Sequence, residues 1–202
     1  DEQRNKYPNS KDGDFTVVNP LYEHFPDMKI FGYNMSRLFG NMTASVFSGD
    51  TLYGKKYFSL NKFFETRKDS NPNEPCTFIY EDEIKQWLEI IKGRSTYGDK
   101  FPYSNQKMLS NNKHTLWLMP RVNATFAMAK LLMEDEYFSK YEIINLSEDG
   151  VGAGVDAFDY LNERITASKN TNKLGSIAIT VNKLTNGVTV KDWFSVFVLK
   201  DL

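Results

Sequence analysis

Cysteine is nearly absent: Cys76 is the only one in 202 residues. A single thiol closes no disulfide within the chain, so the fold rests on its core, as expected in a reducing compartment. Histidine is as scarce, with His24 and His114 alone. No His-x-x-x-His or Cys-x-x-Cys spacing occurs, so a metal site is not expected. No local signature supports a Cys76–His nucleophilic pair either. No uninterrupted apolar run approaches the roughly 20 residues of a membrane helix. The polar start, Asp1-Glu2-Gln3-Arg4, is no signal peptide. These absences point to the cytoplasm and to no membrane partner, and they make the Asn-x-Ser/Thr sequons at Asn34, Asn41, Asn123 and Asn145 coincidental. An excess of positive charge is missing too. Lysine and arginine number 25 against 26 acids, a net charge of −1. No global basic surface marks a nucleic-acid binder, and any grip on phosphate must come from a few local donors.

What is present suffices for a core, with 41% hydrophobic and 14% aromatic residues. The chain has two textures. Residues 1–110 are rich in Asn, Ser, Asp, Lys and aromatics at irregular spacing. Residues 113–202 alternate strand-like and helix-like runs. In the first region Met28 to Tyr33 alternates as a strand does, Leu60 to Thr66 suits a short helix, and Asp69 to Pro75 has loop chemistry. Ile84, Trp87, Leu88 and Ile91 recur at helical spacing, predicting a helix over Glu81 to Lys92 that Gly93 stops.

In the second region Thr115 to Met119 is an apolar run suited to a strand buried on both faces, ended by Pro120. A helix is expected over Asn123 to Met133, a strand over Tyr141 to Leu146, a helix over about Asp156 to Ser168, and strands over Gly175 to Val181 and Phe194 to Leu199. The βαβ series predicts an α/β fold: a parallel sheet flanked by helices, preceded by an irregular, partly helical N-terminal segment. Sites on such sheets lie at the carboxyl ends of strands. That directs attention to Pro120-Arg121, to Ser147-Glu148-Asp149, and to Asn182 through Val190.

Two segments approach phosphate-binding motifs and miss. Gly49-Asp50-Thr51-Leu52-Tyr53-Gly54-Lys55-Lys56 has lysine where a P-loop needs Ser/Thr for magnesium, and reads better as a surface turn. Gly150-Val151-Gly152-Ala153-Gly154-Val155 lacks the last glycine of a dinucleotide fingerprint. It reads as a strand-to-helix loop with Asp156 as a possible N-cap, and a nucleotide-cofactor domain using this loop stays as an alternative. So does a non-catalytic interaction module docking through the aromatic N-terminal half. The segment Lys183-Leu184-Thr185-Asn186-Gly187-Val188-Thr189-Val190 is the strongest candidate site. Its hydroxyls and backbone N–H groups can meet phosphate, with Gly187 allowing close approach. By spacing alone it is also a plain Asn-Gly turn.

Read whole, Ser176 to Leu199 resembles motif V of superfamily-two helicase-like proteins found in restriction enzymes. His114 to Val122, with Ala127, Lys130, Leu131 and Leu132, is similar to their motif IV and its helix. Asn19 to Tyr22, Phe25 to Ile30 and Phe58 to Phe64 resemble the segment connecting their two motor domains. The resemblance implies a P-loop-type, RecA-like second motor domain over 113–202, truncated before motif VI, with residues 1–112 as the connecting segment. It implies an ATP-driven double-stranded DNA translocase akin to the motor subunit of type I restriction enzymes. Arg121, Asn123 and Lys183 would then touch the DNA backbone. Thr185, Asn186, Gly187 and Thr189 would couple DNA to nucleotide. Many motors of this superfamily carry Asp where Thr189 stands, and Lys183 replaces their usual Arg, keeping the charge without the bidentate fork. ATP and Mg2+ would be held mostly by a first motor domain expected before Asp1, and an arginine-bearing motif VI is expected beyond Leu202. No catalytic residue is expected in this stretch, and methylation and specificity subunits are expected partners of the parent.

Overall fold

The computed structural model describes residues 30–35, 39, 47–48, 57–67, 76–93, 101, 103–105, 110, 113–185 and 190–201. The chain divides into two compact units, residues 1–38 and 39–202. In the first unit the described residues 30–34 are irregular, not the strand expected there. Ile30 and Phe31 are exposed, and an alternating run that buries neither apolar residue lacks the half-buried surface on which strand preference rests.

In the second unit, β1 (Phe47–Ser48) pairs antiparallel with β2 (Tyr57–Phe58). This small pairing was not foreseen. Helix α1 (Leu60–Phe63) is a single turn, and α2 (Glu81–Ile91) follows. Helix α2 buries Ile84, Trp87, Leu88 and Ile91, the apolar face its spacing predicted, and Gly93 ends it at φ +80°. Lys92, at the C-cap, lies under Asp135 and Glu89, with its ammonium 5.7 Å from the centre of the Phe138 ring. A cation so placed also complements the helix dipole.

The larger sheet comprises β3 (His114–Leu118), β4 (Glu142–Asn145), β5 (Ser176–Thr180) and β6 (Ser195–Val198). All pairings are parallel, in the order β4-β5-β3-β6. Helix α3 (Val122–Glu134) connects β3 to β4, and α4 (Val155–Asn170) connects β4 to β5. This is the α/β fold expected, a parallel sheet with flanking helices consistent with a RecA-like domain. The two crossovers run in opposite directions along the sheet, so right-handed connections put α3 and α4 on opposite faces.

Helix α4 lays Ala157, Leu161 and Ile165 on Leu116, Ile144 and Ala178. Each large aliphatic buried there contributes roughly 1.5–3 kcal/mol. The other face is aromatic. Trp117, fully buried, meets Trp87 at 5.8 Å, Tyr103 at 6.1 Å, Phe138 at 6.0 Å and Phe197 at 5.3 Å between ring centres. Trp87 continues to Phe64 at 5.6 Å and Phe64 to Phe63 at 4.9 Å. Among the described residues before 113, Phe63, Phe64, Trp87 and Tyr103 thus cover the sheet's second face.

Candidate functional site at the carboxyl edge of the sheet

Parallel pairing brings every strand's carboxyl end to one edge. The register is level there: Leu118 stands opposite both Thr180 and Val198. Backbone bonds carry the alignment into the loops, with Met119 N donating to Thr180 O at 2.8 Å, Leu199 N to Leu118 O at 2.9 Å and Leu146 N to Ile179 O at 2.9 Å. The segments after β3, β5 and β6 therefore start side by side. Three strands span roughly 10 Å, about three steps of one DNA strand at 3.4 Å each.

After β3, Arg121 is extended and exposed and serves as the N-cap of α3 without a side-chain cap bond. Asn123, exposed, lies in the first helical turn. Thr125 turns its hydroxyl back onto Val122 O at 2.7 Å, leaving the outer face of this turn to Arg121 and Asn123.

After β5 the loop is wound tightly. Lys183 N donates to the Thr180 hydroxyl at 2.9 Å. Leu184 takes φ +60° yet is buried in the α4-side core. A non-glycine residue in the left-handed region costs of order 1 kcal/mol, and burial of its side chain offsets that. With Leu184 inserted, Lys183 and Thr185 are carried toward the surface. The Thr185 hydroxyl donates to Asn182 O at 2.8 Å, which commits its one proton within the loop. Asn186, Gly187 and Thr189 lie outside the described residues, as does the near-P-loop at residues 49–56.

Lys200 and Asn182 were not singled out from the sequence. The Lys200 ammonium donates to Asn182 Oδ1 at 3.0 Å and Val181 O at 3.3 Å. The signal was available, since Lys200 follows an apolar strand directly and strand ends carry sites.

The charge along this edge is divided. Among the described residues, Arg121, Lys183 and Lys200 have no carboxylate partner. Lys85, Lys92, Lys130, Arg164 and Lys169 do, whereas Lys113, Lys140, Lys173 and Lys191, scattered elsewhere, are without one as well; what sets the edge apart is that three such cations follow adjacent strand ends. The exposed acids Glu148 and Asp149 follow β4, the outermost strand on the other side of β5. An anion thus meets cations after β5, β3 and β6, with Asp201 turned aside to α1 and acids beyond β5.

The glycine-rich loop after β4 reaches the same edge. Gly150, Gly152 and Gly154 have φ of +86°, +71° and +59°. Gly154, rather than Asp156, is the N-cap of α4. Its left-handed backbone starts the helix early and leaves Asp156 in the first turn, where a carboxylate favours the helix dipole. His114 opens β3 and bonds through Nδ1 to the Ser176 hydroxyl at 2.9 Å across the pair with β5, a structural engagement. No helix among the described residues is long and apolar enough to cross a membrane.

The chain is 32% identical over 187 residues to a Mycoplasma pneumoniae protein provisionally named as the C-terminus of a type II restriction enzyme and methyltransferase. The match covers 90% of this chain and 26% of that protein, so the chain spans about a quarter of its relative's length. No family model matches the chain. No solved structure matches it either.

Proposed function

We propose that this chain is the DNA-gripping part of a restriction system: a second motor-type domain of an ATP-driven double-stranded DNA translocase. The observation that carries the reading is the carboxyl edge, where Arg121, Asn123 and Lys183 follow the two central strands and neither cation has a carboxylate partner among the described residues. Kinship with a protein named for restriction and methylation supports the setting. That relative is named type II, so the likeness to type I motor subunits rests on the motif resemblance alone. In this reading, Arg121 and Lys183 contact backbone phosphates, Asn123 adds a hydrogen bond, and the loop from Lys183 to Thr189 transmits nucleotide state. A first motor domain of the same polypeptide is the partner that closes on this edge, and methylation and specificity functions belong to the same assembly.

ATP and Mg2+ would meet the other side of that closure. Magnesium takes oxygen ligands, whereas the edge from β5 to β6 is cationic, so this chain's residues fit a phosphate chain better than a metal. What the chain itself supplies is orientation of the DNA backbone. The test is fluorescence anisotropy of a labelled duplex with the 202-residue chain at low salt. Salt-sensitive binding is expected, weakened severalfold by Arg121→Ala and by Lys183→Ala, in line with loss of individual phosphate contacts. Absence of binding by the unaltered chain, or binding indifferent to both substitutions, would overturn the reading.

A further inference from the structure

Lys200 is the most confined of the three edge cations, and no motif includes it. Its ammonium has three N–H donors. Two are taken by neutral oxygens, Asn182 Oδ1 and Val181 O. Neutral acceptors fix the position of the head group and leave its charge intact. Its neighbour Asp201 forms no ion pair with it: that carboxylate is turned to α1, where it accepts from Leu60 N at 2.8 Å and the Ser59 hydroxyl at 2.7 Å. The result is an oriented cation whose third donor has no partner among the described residues, just after β6, the strand next to β3, and at the level where the loops of Arg121 and Lys183 begin.

We propose that Lys200 is a third contact to the DNA backbone, its remaining N–H and full charge taken up by one phosphate of a strand that lies across the ends of β5, β3 and β6. The inference rests on the DNA-gripping reading and extends it to a residue outside the motor motifs. A polyanion bound there would lie along the sheet edge, away from the acids that follow β4. Holding the ammonium on Asn182 lowers the rotamer entropy lost on binding, which for a free lysine is up to about 2 kcal/mol.

A phosphate contact differs from a merely structural bond in its salt dependence. Each phosphate neutralised on a duplex contributes about 0.9 to the slope of log K against log salt. The experiment is duplex binding by the 202-residue chain over a salt series, for the unaltered protein, Lys200→Met, Lys200→Arg and the control Lys169→Met. Lys169 is paired with Asp192 at 2.7 Å. Lys200→Met is expected to lower the slope by about 0.9 and weaken low-salt binding severalfold, while Lys200→Arg and Lys169→Met keep the slope. Should Lys200→Met melt early, Lys200→Gln, which keeps a donor for Asn182 and loses the charge, makes the same measurement. A weaker affinity with an unchanged slope means that Lys200 only positions the loop, and the inference is overturned, as it is if nothing changes. No binding by the unaltered chain would sink the DNA-gripping reading itself and this inference with it.

Discussion

At the scale of single residues, His114 links the fold to solution conditions. It is buried at the start of β3 with its ring against Ser176. Burial disfavours the imidazolium, Lys169 and Lys113 add to the effect, and Asp192 opposes it; the net result is a pKa below the ordinary histidine value. An unfolded chain takes up this proton near pH 6.5, and the folded chain does so only at lower pH. Stability is therefore full above about pH 6.5 and falls as pH drops through the window below it. Urea midpoints between pH 7.5 and pH 5.5 should decline for the unaltered chain, with a shallower decline for His114→Gln. An identical decline in both would show that other groups carry the acid sensitivity. Gly175 is the other residue whose role is set by one contact. A Cβ there would stand 1.6 Å from Lys113 O, the carbonyl that accepts Ser176 N at 2.8 Å. Glycine lets the start of β5 pass beneath β3's entry, and nothing in the pattern of the sequence marks that approach.

At the scale of elements, α1 shows how a helix too short to stand alone is held. A single turn does not form in isolation. Asp201, 141 positions away from Leu60, accepts from Leu60 N and the Ser59 hydroxyl and, at 3.4 Å, from Asn61 N; Asp201 N in turn donates to Asn61 Oδ1 at 3.2 Å. A carboxylate from the exit of β6 thus joins Ser59, which itself accepts from Lys62 N, in capping the turn. Asp201→Ala should cost about 1–2 kcal/mol, the usual loss for a helix cap, read as a lowered denaturant midpoint. A change below about 0.3 kcal/mol would show that water replaces the carboxylate. No sequence pattern exposes such a cap, because its partners are distant in the chain. The elements that were legible have local causes. The strands beginning at His114 and Ser176 are apolar runs, and α2 and α4 carry their buried residues at helical spacing. Strand β6 is legible for only half its reason: Phe197 packs on Trp117, while Phe194, Val196 and Val198 are exposed, so its apolar run does not mark burial on both faces. The candidate site was legible where a strand end coincided with a motif, at Arg121 and Lys183. Lys200 was missed because the motif stopped one residue short of it.

At the scale of the whole molecule, a net charge of −1 hides a partition that composition averages away. Acids pair with Lys85, Lys130 and Lys169 on the helices, while the three cations that gather at one sheet edge have no carboxylate partner among the described residues. Charge that binds a polyanion must be local for a chain this close to neutral, and its binding must be lost as salt rises. Phosphoryl transfer asks for more: a phosphate cradle, magnesium ligands and an arginine finger brought together. The edge supplies cations and hydrogen-bond donors, which suits holding a backbone and leaves hydrolysis to groups elsewhere. The 202-residue chain should therefore release no phosphate from Mg-ATP above background, and its duplex affinity should stay within about twofold when Mg-ATP is added, since a ligand shifts an equilibrium only through differential affinity. Phosphate release and anisotropy on the same sample measure both. A severalfold shift in affinity would mean that this chain holds nucleotide by itself. The glycine-rich loop at Gly150 to Gly154 would then be the place to look, because Gly150 and Gly154 border open space and the N-terminus of α4, whose first-turn N–H groups favour anions, begins directly after it. Retention of that shift in a Gly152→Val variant would in turn exclude the loop, since a Cβ there meets Asp156 Cβ at 2.8 Å and forces the backbone to move.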